Sequence, residues 1–173
     1  MRPKKVRCPM CRGPHTLLRS DPVGVLRRTP SALARVLRGA RKRWLARRPG
    51  SREWAINEVL AHLADAEVAL GFRIRKIAAE PDAPIAAWDQ DAWAEKLKYR
   101  TADATAVLDA FGAVRASNLE VLARLSQGQR QQSGRHPEYG KITLDQVVAH
   151  WAEHDLTHTN QIRSTLQTLS GRP

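Results

Sequence analysis

Five of the six histidines lie beyond residue 61, and three of them fall at His150, His154 and His158. Spacing of four residues advances a helix by about 400°, so each adjacent pair shares one face about 6 Å apart along the axis, a separation that suits two imidazoles on one metal ion. All three cannot serve one ion, because His150 and His158 stand about 12 Å apart along a helix. One adjacent pair therefore needs a third ligand from another helix, and His62 is the only histidine inside another helical stretch. A His-x3-His pair plus one more imidazole supplies three neutral nitrogen donors and leaves a coordination position open to water or substrate, the arrangement of a catalytic zinc. Trp151 and Leu156, interleaved among these histidines, read as core.

A second constellation is Cys8-Pro-Met-Cys11 with His15. Two thiolates at this spacing make half of a structural zinc knuckle, to which His15 could add a third ligand. The fourth ligand is missing nearby, so an unpaired half-knuckle, a redox-active dithiol and a loosely ordered tail remain alternatives. Two cysteines cannot build a disulfide framework, and the basic N-terminus lacks the apolar stretch of a secretory signal. A reducing cytoplasm is the expected compartment.

The elements that must hold these groups read as helices. Thr29-Pro30 offers a cap followed by proline at the first helical position, and Leu33, Val36, Leu37, Ala40 and Trp44 then repeat at helical spacing until Pro49-Gly50. A second helix over about 55–79 carries one stripe of Val59, Leu60, Leu63, Ala66, Leu70, Ile74 and Ile77. A third, about 102–125, is opened by Thr101 and buries Val107, Leu108, Phe111, Val114, Leu119, Leu122 and Leu125. The fourth opens with a capping box of Thr143 and Gln146 and runs to about 169. Residues 81–100, with Trp88 and Trp93, are expected to form one short helix between helices two and three, and 128–142 a polar loop. The fold expected is all-α: a four-helix bundle over 29–173 preceded by a basic leader, 1–28, that carries the Cys pair.

Charge is unevenly spread in this 173-residue chain of net charge +12. Residues 1–52 hold 16 basic groups against the single acid Asp21, while the remainder holds 13 basic and 16 acidic groups. Such a segment can recruit nucleic acid by counterion release, although no aromatic interleaving accompanies it and an arginine-rich composition explains it equally. A hydrophobic fraction of 42% with no unbroken apolar run of about 18 residues excludes both a disordered chain and a membrane-spanning helix.

Two segments resemble the DinB/YfiT-like superfamily. Trp54-Ala-Ile-Asn-Glu-Val-Leu-Ala-His62-Leu-Ala-Asp65-Ala-Glu67 is similar to its second-helix motif, and His136-Pro-Glu-Tyr-Gly140 followed by His150-Trp-Ala-Glu-His154-Asp-Leu-Thr-His158-Thr-Asn-Gln161-Ile is similar to its last helix. The resemblance implies a four-helix bundle, often a homodimer, with a divalent metal, zinc or nickel, on His62, His154 and His158, leaving His150 as a neighbour or outer ligand. It also implies two alternative roles. One is a metal-dependent enzyme such as a transferase or isomerase using a low-molecular-weight thiol, or a hydrolase; the other is a stress- or DNA-damage-linked metal-binding protein without catalysis. Asp65 and Gln161 are candidates to orient an imidazole or a bound water. Similar proteins usually carry Ser after the Trp; Ala55 stands there instead, and loss of a Ser cap worth about 1 kcal/mol is expected to displace the helix start toward Ser51 or fray it.

Overall fold

The computed structural model describes residues 6–7, 14–15 and 21–171. Strands β1, Val6–Arg7, and β2, Pro14–His15, pair antiparallel. Cys8 and Cys11 lie outside the described residues, and with them the expected cluster with His15.

Helix α1, Pro22–Leu37, starts seven residues before the expected Thr29. Asp21 caps it by accepting from the Gly24 amide at 2.7 Å, and Pro22 occupies the first position, a complete start signal that precedes Thr29-Pro30. The expected boundary between residues 28 and 29 thus falls inside α1. Pro30, now in the helix interior, has no N–H for the carbonyl of Leu26 four residues back. The guanidinium of Arg115 replaces it, donating from Nη1 to the Leu26 carbonyl at 2.6 Å. Gly39 adopts a left-handed φ of +78° just past the helix end, so Trp44 belongs to a separate short helix α2, Lys42–Leu45, rather than to one continuous first helix.

Helix α3, Ile56–Ala79, keeps the expected bounds. Helix α4, Gln90–Lys96, capped by Asp89, is the short connecting helix, followed by a 3-10 turn over Tyr99–Thr101. Helix α5, Ala104–Arg124, is capped by Asp103 rather than Thr101. After α6, Gln127–Gln131, the segment expected to be a polar loop contains a hairpin in which β3, Ser133–His136, pairs antiparallel with β4, Gly140–Thr143. Helix α7, Leu144–Ser170, opens on the reciprocal Thr143 and Gln146 box, with bonds of 3.2 and 2.9 Å.

The long helices α1, α3, α5 and α7 form the four-helix bundle. Helix α1 packs on α5 and α7, and α3 packs on the same two. Hence α1 and α3 stand diagonally, as do α5 and α7, and the chain crosses the end of the bundle between each diagonal pair. Two apolar clusters fill the interior, one around Leu33, Val59, Leu60, Leu63, Phe111 and Ile162, the other around Leu26, Leu70, Ile74, Ile77, Val148 and Trp151. Between them, on all four helices, lies a polar layer: Thr29, His62 and Glu67, Arg115 and Asn118, and His154, Asp155 and His158. Leu156, expected in the core, faces outward with 41% exposure, because α7 turns its polar-layer face inward at that level.

Candidate metal centre

Helix α3 contributes His62 to the polar layer, and two turns of α7 contribute His154 and His158. One ring nitrogen from each lies within 4.8 Å of the others. The Nε2 atoms of His62 and His154 face each other at 2.9 Å. Two nitrogens on one tetrahedral zinc stand about 3.3 Å apart, so these two need to part by only a few tenths of an ångström. Gln161, one turn beyond His158, presents Oε1 to His158 Nδ1 at 2.7 Å. An amide oxygen only accepts, so the proton sits on Nδ1 and the Nε2 lone pair of His158 is free. Nδ1 of His154 is buried without a hydrogen-bond partner.

All three imidazoles are held neutral. Burial, followed by the charge of His158, pushes His62 down to about 3. Burial also places His154 well below its ordinary value, with the neighbouring histidines adding to the effect, and lowers His158 despite the opposing bond to Gln161. Neutral imidazole is the ligating form, so a cluster that repels protons and converges its lone pairs fits a borderline divalent ion.

The start of α3 does not fray. Ala55, fully buried, takes the capping position without a side-chain acceptor, and Glu58 reaches back to accept from the Ala55 amide at 2.7 Å. Arg48 holds the Glu58 carboxylate from the other side, donating from Nε at 2.9 Å, and its charge helps keep that carboxyl ionised. The missing Ser cap is thereby offset by an ion pair from the preceding segment. Trp54 packs edge-on against the His62 ring at 5.2 Å. Asp65 accepts a hydrogen bond from the Tyr99 hydroxyl, and burial together with that carboxylate pushes the phenol up. His150 stands one turn from His154, ring centroids 6.4 Å apart, outside the converging set.

A cavity of about 330 Å³ opens beside the cluster, lined in part by His62, His154, His150, Arg73, Trp88 and Trp151. Trp151 therefore serves both the core and the cavity wall, with its ring 5.7 Å from that of His154. Arg73, His136 and Trp88, which also line the cavity, were not among the site residues expected from the sequence.

Behind the histidines the polar layer is an ion network that the sequence reading also missed. Arg115, 1% exposed, donates to both oxygens of Asp155 at 2.7 and 3.2 Å and to Glu67 at 2.7 Å, while Asn118 donates to Glu67 at 2.8 Å. Glu67 and Asp155 sit on the inward stripes of α3 and α7, which was the available signal: two acids on apolar faces require a buried cation.

A family model described as the DinB superfamily matches residues 26–162. A protein of Oceanobacillus iheyensis, provisionally named a metal-dependent hydrolase, is 26% identical over 111 residues, and the chain spans 64% of that relative's length and 64% of its own. The structure of YfiT from Bacillus subtilis, provisionally described as a metal-dependent hydrolase with an unusual four-helix bundle topology, superposes with a TM-score of 0.81 at 23% identity, covering 88% of this chain and 87% of that one. A mycothiol-dependent maleylpyruvate isomerase superposes with a TM-score of 0.67 at 12% identity over 82% of this chain and 59% of its own. Among the described residues no helix is long and apolar enough to cross a membrane.

Proposed function

The chain belongs to the DinB superfamily, and from that premise we propose that it is a metal-dependent enzyme in which His62, His154 and His158 hold one divalent ion, zinc or nickel, for attack on a small molecule. The observation that carries this reading is the convergence of three neutral imidazoles within 4.8 Å of one another, two of which, His62 and His154, line a cavity large enough for a small substrate. When bound, a divalent ion lowers the pKa of a coordinated water or thiol and so supplies a nucleophile near neutral pH.

The chain's own contribution is positional. Gln161 fixes the His158 tautomer, and burial keeps protons off the ligating nitrogens. Trp88 and Trp151 line the cavity beside them with apolar ring surface. Water as the nucleophile gives hydrolysis, the activity for which the Oceanobacillus relative is provisionally named; a low-molecular-weight thiol gives transfer or isomerisation, in keeping with the mycothiol-dependent neighbour.

Elemental analysis of zinc-loaded protein is expected to return one ion per chain, and none in His154→Ala. Stoichiometric metal in that variant would overturn the ligand set. Ester hydrolysis and thiol conjugation assays on the loaded protein then separate the two nucleophiles, and inactivity in both across a broad panel would leave metal binding without catalysis.

A further inference from the structure

Two buried basic groups face the same cavity as the histidines, and among the described residues neither forms an ion pair with a carboxylate. Arg73 is 6% exposed and His136 is 4% exposed. The guanidinium lies against two indole rings, its Cζ 5.2 Å from the centre of Trp88 and 5.6 Å from that of Trp151, and donates from Nη2 to the Ala86 carbonyl at 2.7 Å. Among the described residues no carboxylate oxygen lies within ion-pair reach of it, in contrast to Arg115, which has two acids. Burial accordingly pulls Arg73 below its ordinary value, with only the more distant Tyr139 and Glu138 opposing.

His136 fixes the polarity of its own ring. Its Nδ1 accepts from the Glu138 amide at 3.2 Å, and burial together with the Arg73 charge keeps it neutral, so the proton is on Nε2. That N–H lies 3.4 Å from Nη2 of Arg73. Two donors side by side at a cavity wall lack a shared acceptor, and a buried cation without a counter-charge is unfavourable.

We propose that Arg73 and His136 form a recognition site for a substrate carboxylate next to the metal centre; this rests on the preceding reading for its partner ion but not for its own binding. A planar guanidinium fork matches a carboxylate. One buried positive charge, with exposed Asp89 and Glu138 also on the cavity lining, favours a monoanion over a phosphate dianion. Trp151 stands between the two halves of the site: its ring lies 5.6 Å from Arg73 and 5.7 Å from His154. The reacting bond of the substrate therefore lies a short molecule's length from its carboxylate, across an indole face.

The test is a titration of full-length, metal-free protein with benzoate, its neutral isostere benzamide and inorganic phosphate, read by tryptophan fluorescence and calorimetry. Benzoate is expected to bind saturably and at least ten-fold more tightly than either benzamide or phosphate. Arg73→Met is expected to weaken benzoate at least ten-fold, and Arg73→Lys, which keeps the charge and loses the fork, by less. Equal affinity for benzamide, equal or tighter phosphate binding, or a folded Arg73→Met that binds benzoate unchanged would each overturn the proposal. The comparison of ligands on the parent chain decides even if Arg73→Met does not fold. Zinc stoichiometry measured in parallel separates the two readings: benzoate binding without zinc binding sinks only the metal centre, and zinc binding without benzoate binding sinks only the carboxylate site.

Discussion

Replacing Arg115 with Met is the sharpest perturbation of the polar layer. The guanidinium is 1% exposed and holds three partners at once, Glu67, Asp155 and the Leu26 carbonyl. Removing it leaves two buried carboxylates without a counter-charge, which costs about 3–5 kcal/mol. The Leu26 carbonyl also loses the donor that Pro30 cannot supply, at about 1–3 kcal/mol. The terms overlap, so a total loss of about 4 kcal/mol at pH 7 is expected by urea unfolding, a large share of a total stability of about 5–15 kcal/mol. The loss should shrink in acid. Burial raises Asp155 and Arg115 opposes that rise; without Arg115 the folded-state value climbs further above the unfolded one, so the variant's native state takes up protons first and regains stability as pH falls from 7 toward 4. In a Pro30→Ala background, where residue 30 regains an N–H for Leu26, the cost of losing Arg115 should be about 1 kcal/mol smaller. A loss under about 1 kcal/mol, or no coupling between the two sites in the double-mutant cycle, refutes this account.

Gly71 backs onto Asn118: a Cβ there would lie 2.4 Å from Asn118 Oδ1, and Asn118 is tied to Glu67 and Arg75, so Gly71→Ala should cost about 1–3 kcal/mol in thermal unfolding. Metal-free protein should lose stability as pH falls from about 6.5, where unfolded histidine titrates, toward about 3, where folded His62 does, because only the unfolded chain takes protons across that window; a flat denaturation profile between pH 7 and 5 refutes it. The polyanion reading of residues 1–52 predicts duplex DNA binding at about 50 mM salt that falls steeply by about 200 mM, and absence of binding at the lower salt reduces the arginine excess to composition.

What could be read from the sequence was whatever local rules determine. Helix α3 announced itself by an unbroken apolar stripe and α7 by the Thr143–Gln146 box, and the His-x3-His spacing marked one face of α7 before any fold was known. The missed features depend on partners distant in sequence. Arg115 reads as a surface arginine until Asp155, 40 positions on, is known to face it. The start of α1 was misplaced because Asp21-Pro22 and Thr29-Pro30 are equally good local signals, and the donor that Arg115 gives the Leu26 carbonyl in place of the proline comes from 89 positions away. The hairpin of β3 and β4 has four-residue strands, too short for an alternating pattern to stand out, and leans on Ala83 and Ile85, whose backbones bond to Arg135. Arg73 and His136 were invisible as a pair because 63 residues separate them.

The diagonal placement of α1 against α3 has a consequence for how the protein is made. Helix α1 is complete at residue 37, but of its two flanks one is supplied by α5 and the other by α7, which ends at residue 170. At about 5–20 residues per second of synthesis, α5 follows after roughly 4–17 seconds and α7 only after roughly 7–27 seconds, and α3, emerging next, flanks neither side of α1. A nascent chain halted short of α7 leaves one flank of that face open and carries only one of the three clustered histidines, His62, so ribosome stalling late in the message should deliver sticky, metal-incompetent fragments to chaperones and proteases, while a chain that has completed α7 can close the bundle.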